Sequence, residues 1–111
     1  MKSIFEYIAD ASNLVDELHA LRAKMSRLSC EMDKAYKEGS DYYAAAKEWL
    51  DTEDQSKKVR RRAIVAIKKC YELFGLTAPE ISSISYDSTI EQSLRTVVCW
   101  GMQINRITEQ Y

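Results

Sequence analysis

The chain has 111 residues, of which 46% are apolar and 30% charged, with a formal net charge of −1. That balance supports a modest core in one domain and lacks the strong positive charge typical of a dedicated nucleic-acid binder. Three glycines and one proline supply too few turns for an all-β domain and favour long uninterrupted elements.

The opening stretch MKSIFEYIADAS carries Glu6 and Asp10 where a signal peptide would need an apolar core, so it reads as mature protein. From Ser3 to Glu38 the apolar positions Ile4, Ile8, Ala11, Val15, Leu18, Leu21, Met25, Leu28, Met32 and Tyr36 recur in steps of 3 or 4, which is helical spacing. A seven-residue pattern drifts across a 3.6-residue helix, so the packing is expected to be coiled-coil-like. Gly39 is placed to close this helix, with Ser40 or Asp41 capping the next.

The second helix is expected over 41–74, stopped by Gly75. Its apolar positions gather at the two ends: Tyr42, Ala46, Trp49 and Leu50, then Val59, Ala63, Ile67, Cys70 and Phe74. Between them DTEDQSKK is wholly polar. This window reads either as a solvated mid-helix or as a break near Asp51, with Thr52 and Gln55 forming a new capping box. Residues 75–88 form a Ser-rich linker with a short turn plausible after Pro79. Ser88 and Glu91 then suggest a capping box for a third helix over 89–109, presenting Ile90, Leu94, Val97, Val98, Gly101 and Ile104, with Trp100 and Ile107 at one flank. The fold class that follows is all-α: a long antiparallel hairpin plus a third helix, in a three- or four-helix bundle forming a single domain over 1–111.

Residues 56–69, SKKVRRRAIVAIKK, hold seven positive charges and no negative one. At 100° per residue, Lys57, Lys58, Arg61, Arg62, Lys68 and Lys69 share the side away from Val59, Ala63, Ala66, Ile67, Cys70 and Phe74, and Val65 is the lone apolar residue among them. Arg60 falls on the apolar side and calls for a carboxylate from another helix, with Asp16 or Glu17 the expected partner. The bland account of this face is solvated charge. Asp51, Glu53 and Asp54 precede the window and can pair with Lys57 and Lys58, and a hairpin about Gly39 brings Asp10, Asp16 and Glu17 alongside Lys69, Ala63 and Arg62. The functional alternative is phosphate contact through the six outer cations.

Chemistry has little foothold. His19 is the only histidine, in DELH, and a di-iron carboxylate site would need a second histidine and several inward glutamates. Cys30, Cys70 and Cys99 lack zinc spacing and read as buried reduced thiols, which fits a cytoplasmic location. No phosphate-cradling glycine loop or nucleophile elbow is present, and the apolar runs AIVAI and VVCWGM are too short to cross a bilayer. No enzyme, cofactor, metal or membrane role is expected.

Length is more informative. A first helix of ~36 residues extends about 54 Å, and a third of ~21 about 32 Å. The third helix should start near Phe74 and residue 5 and run back along the hairpin, covering 5–26 and 53–74. Left over is the hairpin tip, with Met32, Tyr36, Tyr42, Tyr43, Trp49 and Leu50, residue types favoured at interface cores. Three things could cover it: a second copy of the chain, a different protein, or a fold-back of 41–51 after a break. The reading is a non-catalytic protein-binding module, an adaptor, chaperone or inhibitor, acting by stoichiometric binding. Small helical hairpins of this size recur among secretion chaperones, anti-sigma-like regulators and phage-encoded inhibitors, an analogy of size and class alone. The alternative is a nucleic-acid-binding regulator using the basic face.

Overall fold

The computed structural model describes residues 2–77 and 87–110, with side chains through Ile104. Three helices make up the fold: α1 (Ile4–Glu38), α2 (Tyr43–Leu73) and α3 (Asp87–Gln110). No strand occurs among the described residues. The class is therefore all-α, an antiparallel hairpin of α1 and α2 with α3 laid against it.

Local chemistry sets the helix ends. Ser3 is the N-cap of α1, and its hydroxyl accepts from the Glu6 N–H at 3.3 Å. Gly39 ends the helix at φ 72°, where a side chain would be strained. Its N–H donates to the Tyr36 carbonyl, and the Ser40 N–H donates to that of Ala35, the Schellman pattern. The N-cap of α2 is Tyr42, without a side-chain cap, and neither Ser40 nor Asp41 takes that position; Asp41 accepts from the Tyr43 N–H at 2.9 Å just ahead of the helix. The same device closes α2: Gly75 sits at φ 72° and donates to Glu72, while Leu76 donates to Tyr71.

α2 is continuous through Asp51. The break does not occur, and neither does the fold-back of 41–51 that depended on it. The polar window is also not wholly solvated. Thr52 and Ser56 are buried on the inner side of α2, continuing the row of Val59, Ala63 and Cys70 at steps of 3 and 4. Thr52 does not cap a new helix. It donates its hydroxyl proton to the Glu48 carbonyl of its own helix, and Ser56 donates to Glu53, both at 2.7 Å. A small hydroxyl satisfied in this way is buried without an orphaned polar atom. The facing row on α1 is Ile8, Ala11, Val15, Leu18, Met25 and Leu28.

α3 adds Ile90 and Val97, both fully buried, to the core at the open end of the hairpin. Gly101 lies so close to α1 that an added Cβ would stand 2.8 Å from Ile8 Cδ1. Trp100 packs edge-on against Tyr71 and Phe74, at 5.0 and 5.1 Å between ring centroids. Asp87, at the start of α3, meets Arg22 and Arg60 halfway along the hairpin. α3 therefore begins at mid-hairpin and runs toward the open end, parallel to α2. It covers the expected stretch in the opposite direction. Between Phe74 and Asp87 the extended chain reaches about 40 Å, ample for the about 21 Å that separates Arg60 from Phe74 along α2.

Two further expectations change. Ser88 lies within the first turn of α3 and does not cap it, and Glu91 meets His19 instead. The turn after Pro79 and the placement of the Ile107 side chain lie outside the described residues. The molecule measures 66 × 26 × 24 Å with a radius of gyration of 18.1 Å, against about 13 Å for a compact chain of this length. This elongation is what leaves the tip uncovered.

Candidate protein interface and basic face

Beyond Arg22 the described residues form a bundle two helices thick, because α3 is described from Asp87 onward. Two facing helices bury only the residues directly between them. At the tip Leu28 is buried and Met32 and Trp49 are half-buried, whereas Tyr36, Tyr42, Tyr43 and Leu50 are 72%, 45%, 79% and 56% exposed. Tyr36 and Tyr42 meet across the turn, with ring centroids 6.2 Å apart at 69°. Lys24 and Glu48 pair at 3.2 Å across the hairpin below this cluster. The six residues singled out from the sequence thus divide into four on the surface and two that also support the hairpin.

The basic face is largely without acidic neighbours. Lys57 pairs with Glu53 at 3.5 Å and Lys69 with Glu72 at 3.8 Å, both along their own helix. Among the described residues no carboxylate lies within 4 Å of Lys58, Arg61, Arg62 or Lys68. Asp16 and Glu17 point to solvent on α1 and do not neutralise Arg62.

Arg60 does meet a carboxylate from another helix, but it is Asp87 of α3, at 3.3 Å, and not Asp16 or Glu17. Asp87 accepts at the same time from Arg22 Nε at 2.8 Å. The Asp87 carboxylate therefore joins all three helices, and its place in the first turn of α3 suits the helix dipole. A cleft of about 380 Å³ opens beside this junction, lined by Arg22, Glu53, Lys57, Arg60, Arg61 and Ile64. Arg22 and Asp87 escaped the sequence reading. One signal was there: Arg22 continues the seven-residue series Ile8, Val15, so it is an arginine in a core row, as Arg60 is on α2.

Burial differs among the cysteines. Only Cys70 is buried, whereas Cys30 and Cys99 are exposed, which corrects the expectation of three interior thiols. Burial pushes the Cys70 thiol above its ordinary pKa, and the Asp10 charge adds to the rise. His19 is half exposed and meets Glu91 across the α1–α3 seam. Among the described residues no three His, Cys, Asp or Glu side chains gather as metal ligands would. No helix there is long and apolar enough to cross a membrane. No family model, no curated protein and no solved structure matches the chain.

Proposed function

We propose that the protein is a non-catalytic, stoichiometric protein-binding module of the cytoplasm, an adaptor, chaperone or inhibitor, whose interface is the hairpin tip. One observation carries this reading. α3 begins at mid-hairpin and runs away from the tip, and Tyr36, Tyr42, Tyr43 and Leu50 stand exposed there. Aromatic side chains on a rigid double helix offer large contact area at small conformational cost, and such anchors dominate interface energetics. The occupant is another protein or a second copy of the chain.

Tyr43→Ala combined with Leu50→Ala tests it. Both side chains are mostly exposed, so the helicity should hold. Self-association by sedimentation, or binding to a co-purified partner, should weaken by about 2 kcal/mol. Unchanged association would place the interface elsewhere.

The alternative, a nucleic-acid-binding regulator using Lys57, Lys58, Arg61, Arg62, Lys68 and Lys69, has one supporting observation: four of these cations lack acidic neighbours among the described residues. Binding of that kind falls steeply with salt, because each phosphate contact releases counterions. Failure of DNA and RNA to bind even at low salt would eliminate it.

A further inference from the structure

A second groove runs along the hairpin near its open end. It is a shallow groove of about 500 Å³, lined by Lys2, Tyr7, Asp10 and Leu14 on one side and by Arg61, Arg62, Val65, Ala66 and Lys69 on the other. At 100° per residue the helical positions lie on the sides of α1 and α2 turned away from those that meet α3, except Arg61, which also borders the cleft beside Asp87. Its floor is apolar. Tyr7, Leu14 and Ala66 are half-buried at the margin of the core, and Val65 is 67% exposed. This is the valine that interrupts the cationic face. Its rim is basic, with Arg61, Arg62 and Lys69 along α2, while Asp10 is already tied to Lys2 at 2.7 Å.

We propose that this groove docks an acidic amphipathic helix of a partner protein, its apolar stripe on Leu14, Val65 and Ala66 and its carboxylates on Arg61, Arg62 and Lys69. The opposite face of the same hairpin already holds a helix by this chemistry. α3 lays Ile90 and Val97 into the core, and its acidic first turns meet Arg22, Arg60 and His19 through Asp87 and Glu91. The groove repeats the arrangement, an apolar seam between two antiparallel helices with arginines at its edge, and no helix among the described residues lies in it. From Lys2 to Leu14 the seam extends about 18 Å, or three turns of a bound helix. The seam runs along the axes of the two helices, the direction a bound helix would take, and its apolar floor gives a phosphate backbone nothing to bind. The site shares no residue with the hairpin tip.

The test is a selection from a display library of helix-forming 14-residue peptides against the full chain, counter-selected on the bare support. The enriched peptides should carry apolar residues at i, i+3 or i+4 and i+7, flanked by Asp or Glu. In fluorescence anisotropy, a chosen peptide should lose at least about tenfold in affinity on Val65→Glu and on Arg61→Glu with Arg62→Glu. It should lose nothing on the tip variant, so this outcome is independent of the tip interface. Circular dichroism establishes that the variants remain helical. Neutral or basic consensus peptides, or binding that survives Val65→Glu, would overturn the proposal. So would phosphatidylserine vesicles or an RNA duplex binding through the same residues more tightly than any selected peptide.

Discussion

Asp87 ties the three helices together, since its carboxylate faces two guanidiniums from two different helices. Arg60 is 13% exposed and cannot be rescued by water as easily as a surface cation can. Asp87→Asn should therefore cost about 2 kcal/mol, a value discounted because Asp87 and Arg22 are partly solvated. Arg60→Met should cost less, because Asp87 keeps Arg22. Urea titrations of the two variants would reveal this order, and the reverse order would mean that Arg60 contributes more to stability than its pairing with Asp87 does. Cys70 offers a second check. Its thiol is buried with a raised pKa, so the folded state holds that proton more tightly than the unfolded chain does. The associated stability is present below the ordinary thiol value and is lost as pH rises through the raised one. A thiol reagent should modify Cys30 and Cys99 rapidly and Cys70 only as fast as the protein unfolds. Cys70→Ala should flatten the alkaline loss of stability.

The helices differ in what fixes them. α1 and the end of α2 are bounded by local devices, Ser3, Gly39 and Gly75, each legible in the sequence because a cap needs only neighbouring backbone. Gly39→Ala meets no atom within 4 Å, so its cost should be backbone strain alone, about 1 kcal/mol. The position of α3 depends instead on close approach. Gly101→Ala should be nearly neutral, because the helix-propensity gain of about 1 kcal/mol offsets the displacement of the mobile Ile8 terminus. Gly101→Leu has no such outlet and should destabilise by roughly 1–3 kcal/mol, lifting α3 from α1. Thermal denaturation of the pair would decide this. Equal stability of Gly101→Leu and the parent would show that the α3 seam is loose.

At the scale of the molecule, shape and interface are one question. A monomer in solution should scatter X-rays with a radius of gyration near 18.1 Å, well above the about 13 Å of a compact chain. A dimer joined at the tips should approach twice the 66 Å length, and a side-by-side dimer should not. The sequence by itself determined the all-α class, the long hairpin, its glycine stops at Gly39 and Gly75 and the excess of α1 and α2 over α3, because periodicity, glycine conformations and rise per residue are local properties. It also marked Arg60 as needing a carboxylate, but not which one. Only the tertiary structure decided that the partner is Asp87, that Thr52 and Ser56 turn inward, that Cys30 and Cys99 face solvent, and that α3 runs parallel to α2. Periodicity is the same read in either direction, so it cannot orient a helix whose connection is long enough to reach either end of the hairpin. The choice is made by which end brings Asp87 to the two arginines and Gly101 to Ile8, contacts between residues more than sixty positions apart in sequence for Arg22 and Asp87.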